Sequence, residues 1–152
     1  MKTSLAGLRV APYYGCQLSR PFDDFDDPEN PTTMDRLLEA MEAEVVSYPL
    51  KSRCCGGVLM STRPDAAIPL VYQLLECADR AGAHCIATTC PLCTINLEGY
   101  RRQIAVKYGK TYDRLPVFAF TQLLGVALGL PRAETGVDMG LISAEPILTA
   151  YL

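Results

Sequence analysis

The chain has 152 residues, 49% of them hydrophobic, which suits one globular domain with a core of its own. Its 14 lysines and arginines against 17 aspartates and glutamates give a formal net charge of −3, so there is no electrostatic footing for a nucleic-acid partner. No apolar run approaches the ~20 residues of a membrane helix, and the N-terminus MKTSLAGLRV lacks the apolar stretch of a secretion signal; a cytoplasmic protein without a membrane span is expected.

Residues 7–15 (GLRVAPYYG) read as a buried strand closing in a turn, and Cys16 follows it. The acidic stretch 23–30 (DDFDDPEN) reads as a solvated loop, with Arg20 before it placed either to pair with those acids or to bind an anionic substrate group. Thr32, with Asp35 three residues later, suggests a capping box opening a helix over 32–44, whose Met34, Leu37, Leu38 and Met41 share one face. A second strand is predicted over 44–49, just before the pair Cys54-Cys55. A helix then runs from about Arg63 to Gly82, a residue type that favours helix ends, with Pro69 as a kink or a later start. Residues 83–89 form a third strand, 91–109 a helix begun by Pro91, and 116–120 a fourth strand leading into TQLLGVALGL; beyond Pro131 the pattern is weak. Alternation of short apolar strands with helices predicts an α/β fold: a small parallel sheet of about four strands with helices on both faces.

Seven cysteines are many for a reducing compartment, where metal binding or redox chemistry is commoner than structural disulfides. Five of them, Cys16, Cys54, Cys55, Cys90 and Cys93, follow predicted strands and so fall at the carboxyl ends where open α/β sheets gather ligands. Cys77 and Cys85 lie inside a helix and a strand and read as core residues. The Cys90-Pro-Leu-Cys93 spacing fits a zinc knuckle, whereas adjacent cysteines diverge and reach two metal atoms of a larger cluster more naturally than one small ion. Gly56 and Gly57 would let the backbone approach sulfur and aim N–H groups at it, and Lys51 and Arg53 would offset thiolate charge. His84, the single histidine, reads as a surface or structural residue, and Tyr13 and Tyr14 as packing residues with a hydroxyl available at the site rim. Three chemistries stay open on these residues: a multi-metal cluster, a zinc-binding structural or docking domain, and a cluster-free thiol oxidoreductase using Cys90 and Cys93.

The order Cys16, Cys54-Cys55-Gly56-Gly57, Cys90-Pro91-Leu92-Cys93 stands in a recognisable setting: YYGCQLSRP (13–21), DDPENPTTMDRLLEA (26–40), YPLKSRCCGG (48–57), TCPLCTINLE (89–98) and TQLLGVALGL (121–130). Together they resemble the cysteine-rich CCG domain of the heterodisulfide reductase B subunit, and in particular its C-terminal half. The resemblance implies that residues 1–152 form a single domain with one copy of the motif. It also implies a noncubane [4Fe-4S] iron-sulfur cluster held by Cys16, Cys54, Cys55, Cys90 and Cys93, with Gly56 and Gly57 beside it. The implied activity is electron transfer to a disulfide and its reductive cleavage, the five cysteines acting through the bound cluster. The implied partners are the ferredoxin-like and the flavin-bearing subunits of such a reductase. Because a family subunit of full length carries two copies of the motif, another CCG half or a homodimer is expected as well.

Overall fold

A computed structural model describes residues 2–20, 24 and 26–152; Asp23 and Phe25 of the predicted acidic loop lie outside the described residues. Four parallel strands, β1 (Arg9–Tyr13), β2 (Glu44–Val45), β3 (Cys85–Thr88) and β4 (Val117–Ala119), form one sheet in the order β2-β1-β3-β4. The register pairs Val10 with Val45 and with Cys85, and Ile86 with Val117. The chain order reverses across β1 and β3, so the loops leaving these two strands diverge to opposite sides and open a crevice at their carboxyl ends.

Strand periodicity sorts the core into two layers. Ala11, Tyr13, Ile86 and Val117 point to one face, covered by α3 (Pro64–Arg80), α4 (Pro91–Gly99) and α5 (Arg101–Tyr108). Val10, Cys85, Ala87 and Phe118 point to the other, covered by α2 (Thr33–Ala40), α6 (Phe120–Ala127) and the C-terminal tail. The predicted α/β sheet with helices on both faces is therefore the observed one. Cys85 is fully buried under α2 and α6, and Cys77 packs partly buried against the α3 side.

Several local expectations change. Residues 15–19 form a short helix α1 (Gly15–Ser19) rather than a bare turn, which places Cys16 in its first turn. The Thr32 side chain makes no cap. Asp26 does that work from outside the helix, its Oδ2 accepting the N–H groups of Thr32 (2.8 Å) and Thr33 (2.6 Å). Pro69 sits inside α3, which begins at Pro64 and runs unbroken to Arg80, with Gly82 (φ 75°) turning the chain into β3. The helix predicted over 91–109 divides at Tyr100, where Arg101 turns its guanidinium back to donate from Nε to the Leu97 carbonyl (2.9 Å). The weakly patterned tail forms the single-turn helices α7 (Arg132–Thr135) and α8 (Glu145–Leu148), and Val137, Ala144 and Leu148 of this tail enter the second layer. No helix among the described residues is long and apolar enough to cross a membrane.

Candidate metal centre

The five expected cysteines lie on the segments that follow β1, β2 and β3, at the carboxyl ends of these parallel strands. Three hydrogen bonds fasten the segment after β1 to the one before Cys54. The N–H groups of Tyr14 and Gly15 both donate to the Lys51 carbonyl (2.8 and 3.1 Å), and the Tyr13 hydroxyl donates to the Arg53 carbonyl at 2.6 Å. Tyr13 and Tyr14 are both buried, and Tyr14 shares a 2.6 Å hydrogen bond with Asp35, which also pairs with Lys51 at 3.0 Å. Lys51 is thereby committed to Asp35 and not to the thiols.

The adjacent cysteines diverge. Cys54 is exposed, lies beside Cys16, and accepts the Gly56 N–H at 3.3 Å; Cys55 is 4% exposed, with its sulfur 3.4 Å from that of Cys93. Cys90 caps α4 in an extended conformation, its N–H held by the Thr88 hydroxyl at 3.4 Å, and lies next to Cys93 in the helix's first turn. Asn96, one turn further on, donates to the Cys55 carbonyl at 2.7 Å and ties α4 to the CCGG loop.

Protons are unevenly held among these groups. The hydrogen bond shared with Cys93, ahead of those from the Gly57 backbone and Asn96, holds the Cys55 thiol below its ordinary value against the opposing effect of burial. Cys93 is pushed up, first by that same bond and then by burial, and Cys16 is pushed up by burial and then by Cys54. The thiols thus form two pairs, Cys16 with Cys54 and Cys55 with Cys93, with Cys90 at the edge of the second. Among the described residues no three metal-ligating side chains converge on the position of a single ion.

Backbone fits closely around the sulfurs. Gly15 has φ 64°, and a Cβ there would stand 3.5 Å from the Cys93 sulfur; a Cβ on Gly57 would stand 3.5 Å from the Cys55 sulfur and 3.0 Å from Leu92. A Cβ at either position would take up the van der Waals space beside sulfur that glycine leaves free, and at Gly57 it would also press on Leu92. A family model for the cysteine-rich domain named CCG matches residues 10–98, a span that contains all five cysteines. The chain belongs to the CCG cysteine-rich domain family. It is 37% identical over 146 residues to the B subunit of the ferredoxin:CoB-CoM heterodisulfide reductase of Methanosarcina mazei, covering 92% of this chain and 48% of that protein. It is 35% identical over 149 residues to the 8-methylmenaquinol:fumarate reductase membrane anchor subunit of Wolinella succinogenes, covering 97% of this chain and 52% of that one. A protein of Archaeoglobus profundus that is itself like the heterodisulfide reductase B subunit is 32% identical over 144 residues, covering 90% of this chain and 48% of that one. The chain spans about half the length of the curated relatives it matches.

Sequence reasoning named the cysteines, the two glycines of the CCGG loop and Tyr13 as a packing residue with a hydroxyl at the rim, but missed three residues that set the cysteines in place: Gly15, Thr88 and Asn96. Gly15 alone carried a readable signal, a glycine directly before Cys16 at a strand end. His84 stays at the opposite end of the sheet, where its Nδ1 accepts the Arg9 N–H at 3.2 Å, in a structural role.

Proposed function

We propose that this CCG domain is an iron-sulfur redox module of a heterodisulfide reductase-like complex, in which Cys16, Cys54, Cys55, Cys90 and Cys93 hold a noncubane [4Fe-4S] cluster. The carrying observation is the divergence of neighbours: Cys54 turns outward to Cys16 while Cys55 turns inward to Cys93. Neighbouring thiolates that face apart suit separate metal atoms of one cluster and suit a single tetrahedral zinc poorly. The clearances at Gly15 and Gly57 and the Gly56 N–H directed at sulfur fit such an occupant. When bound, a cluster of this kind supplies electrons one at a time for reductive cleavage of a disulfide, which takes up two electrons and two protons to give two thiols.

The chain's own residues hold and shape this site. Tyr13 fixes the loop carrying Cys54 and Cys55, Asn96 fixes the same loop to α4, and Thr88 orients the backbone of Cys90. We further propose that the module works in the cytoplasm with a ferredoxin-like partner and a flavin-bearing one, and with a second CCG half or a second copy of itself. An exposed apolar rim of Val58, Leu92 and Ile95 next to the cysteine loops supports the last partner.

The test is iron, acid-labile sulfide and zinc per chain in anaerobically prepared protein, with an absorption spectrum of the same sample. About four irons with matching sulfide and a broad brown absorption are expected for this cluster class. One zinc without colour would replace the proposal with a structural module, and disulfide reduction that persists after complete metal removal would replace it with dithiol chemistry at Cys90 and Cys93.

A further inference from the structure

Two of the five site thiols differ from the others in depth. Cys55 is 4% exposed and Cys93 7%, whereas Cys54 is exposed and Cys16 and Cys90 are partly so. The two buried sulfurs stand 3.4 Å apart in the core layer beneath α3, α4 and α5, on segments 38 residues apart in the chain. A disulfide holds its sulfurs at about 2.05 Å, so this pair closes by a shift of about 1.4 Å shared between two side chains. The backbone on both sides is held for that closure. Asn96 stands one turn after Cys93 on α4 and donates to the Cys55 carbonyl at 2.7 Å, so the helix that carries one sulfur also grips the residue that carries the other. Gly15 and Gly57 place no Cβ at the points 3.5 Å from the Cys93 and Cys55 sulfurs, which leaves each sulfur room to turn.

The sequence by itself points to other links. Cys90 and Cys93 have the spacing of a dithiol oxidoreductase, and Cys54 and Cys55 are neighbours. The fold separates both of these pairs. Cys54 is exposed while Cys55 turns inward to Cys93, and Cys90 stands before the first turn of α4 in an extended conformation while Cys93 lies within that turn. Burial and distance together therefore single out one partner for Cys93, and it comes from a different loop.

We propose that Cys55 and Cys93 are a redox-modification site: in the metal-free chain an oxidant of the peroxide class joins them in a disulfide, and this bond must be reduced before the site takes up iron. The link forms in two steps. One thiol of the pair and hydrogen peroxide give a sulfenic acid and water; the other thiol then displaces its hydroxyl, forming the S–S bond and a second water. Two thiols thus lose two electrons and two protons to one peroxide, and a dithiol reductant returns them. Disulfide and metal exclude each other, because the same two sulfurs serve both. The disulfide does not depend on which metal the site holds, whereas its consequence for iron rests on the cluster reading above.

Two measurements keep these apart. In the first, the reduced, metal-free full chain is treated with hydrogen peroxide, its remaining thiols are alkylated, and its tryptic peptides are mapped without reduction. Cleavage after Arg53, Arg80 and Arg101 places Cys54 and Cys55 in one peptide and Cys90 and Cys93 in another. A link between these two peptides, located by fragmentation at Cys55 and Cys93, is expected in the parent chain; it should persist in C16S and C54S and vanish in C93S. A link within either peptide, or sulfinic acids without a link, overturns the proposal, and the parent's map decides this even where a variant fails to fold. In the second, ferrous iron and sulfide are added to the oxidised chain with and without prior reduction by a phosphine. Iron uptake only after reduction is expected, and equal uptake in both samples overturns the requirement for reduction. If the fully reduced chain takes up no iron, the cluster reading falls and the peptide map alone decides the disulfide.

Discussion

The two ends of the parallel sheet solve the burial of polar groups in opposite ways. At the amino-terminal end, the loop into β4 and the helices around it form a closed network. Arg101, 6% exposed, donates to the carbonyls of Leu97, Tyr112 and Leu115; Glu98, 4% exposed, accepts the N–H groups of Val117 (2.8 Å) and Leu141 (2.6 Å). Glu76 gathers Lys110, Tyr112 and Arg80. Among the described residues no buried side-chain nitrogen or oxygen lacks a partner. At the carboxyl end, by contrast, five thiols face chiefly one another, with glycine backbone drawn close to them. One end is complete within the chain, and the other is where we propose that the cluster is held. Stability should therefore depend on the first end and metal content on the second.

The largest effects that sharpen this contrast belong to the cysteines. Cys54→Ser and Cys55→Ser should each reduce iron from about four per chain to below about one, the loss of a ligand from a cluster, while far-UV circular dichroism stays that of an α/β domain. Full iron and an unchanged spectrum in both variants would remove the functional distinction between the two ends.

Arg101→Ala should do the reverse. Burial lowers the guanidinium to about 10, so it stays charged at neutral pH, and removing it strips donors from three carbonyls at once. A loss of ~3 kcal/mol or more is expected, with melting lowered by several degrees and iron stoichiometry retained in the folded fraction. Chemical denaturation followed by iron analysis checks both halves; a variant as stable as the parent would mean that the network is not what secures the β4 loop.

The contrast also explains what was legible in the sequence. The layered sheet was readable because strand alternation and helix periodicity are local, and Ala11 against Val10, or Ile86 against Cys85, fall on the faces that alternation dictates. The cysteines were readable because thiols are rare and their spacing survives without knowledge of the fold. The supports were not. Tyr13 reaches Arg53 across 40 residues, Asn96 reaches Cys55 across 41, and Asp26 caps α2 from outside the helix. Such pairings follow from where the fold brings loops together, and nothing local distinguishes these polar residues from solvated ones. The break at Tyr100 was hidden for the same reason, since Arg101 is pulled inward by carbonyls at 112 and 115. Helices α7 and α8, each a single turn, are too short to carry a period.

Gly15→Ala tests whether the thiol end tolerates side chains. The left-handed φ of 64° costs an L-residue roughly 1–2 kcal/mol, and the new Cβ would lie 3.5 Å from the Cys93 sulfur. Stability should fall by that amount, and iron should be lost faster to a chelator than in the parent protein. A drop in stability with unchanged chelation kinetics would show that Gly15 serves the turn alone.

The smallest effect comes from Glu76. Hydrogen bonds from Lys110 and then Tyr112 hold its carboxyl down at about 2, against an ordinary value of 4.5. A carboxylate lowered by folding stabilises the native state fully above its unfolded value, and that contribution disappears as pH falls from 4.5 through 2. Glu76→Gln keeps the shape and removes the charge, so it should cost only about 1 kcal/mol at pH 7, because Lys110 and Arg80 remain hydrated. The difference between parent and variant should shrink towards zero as the pH approaches 2. Melting temperatures of the metal-free forms across that range make the comparison without interference from thiol or metal chemistry at the other end of the sheet. A gap that stays constant with pH would place the stabilisation in the packing of α3 against the 110–112 loop and not in the charge.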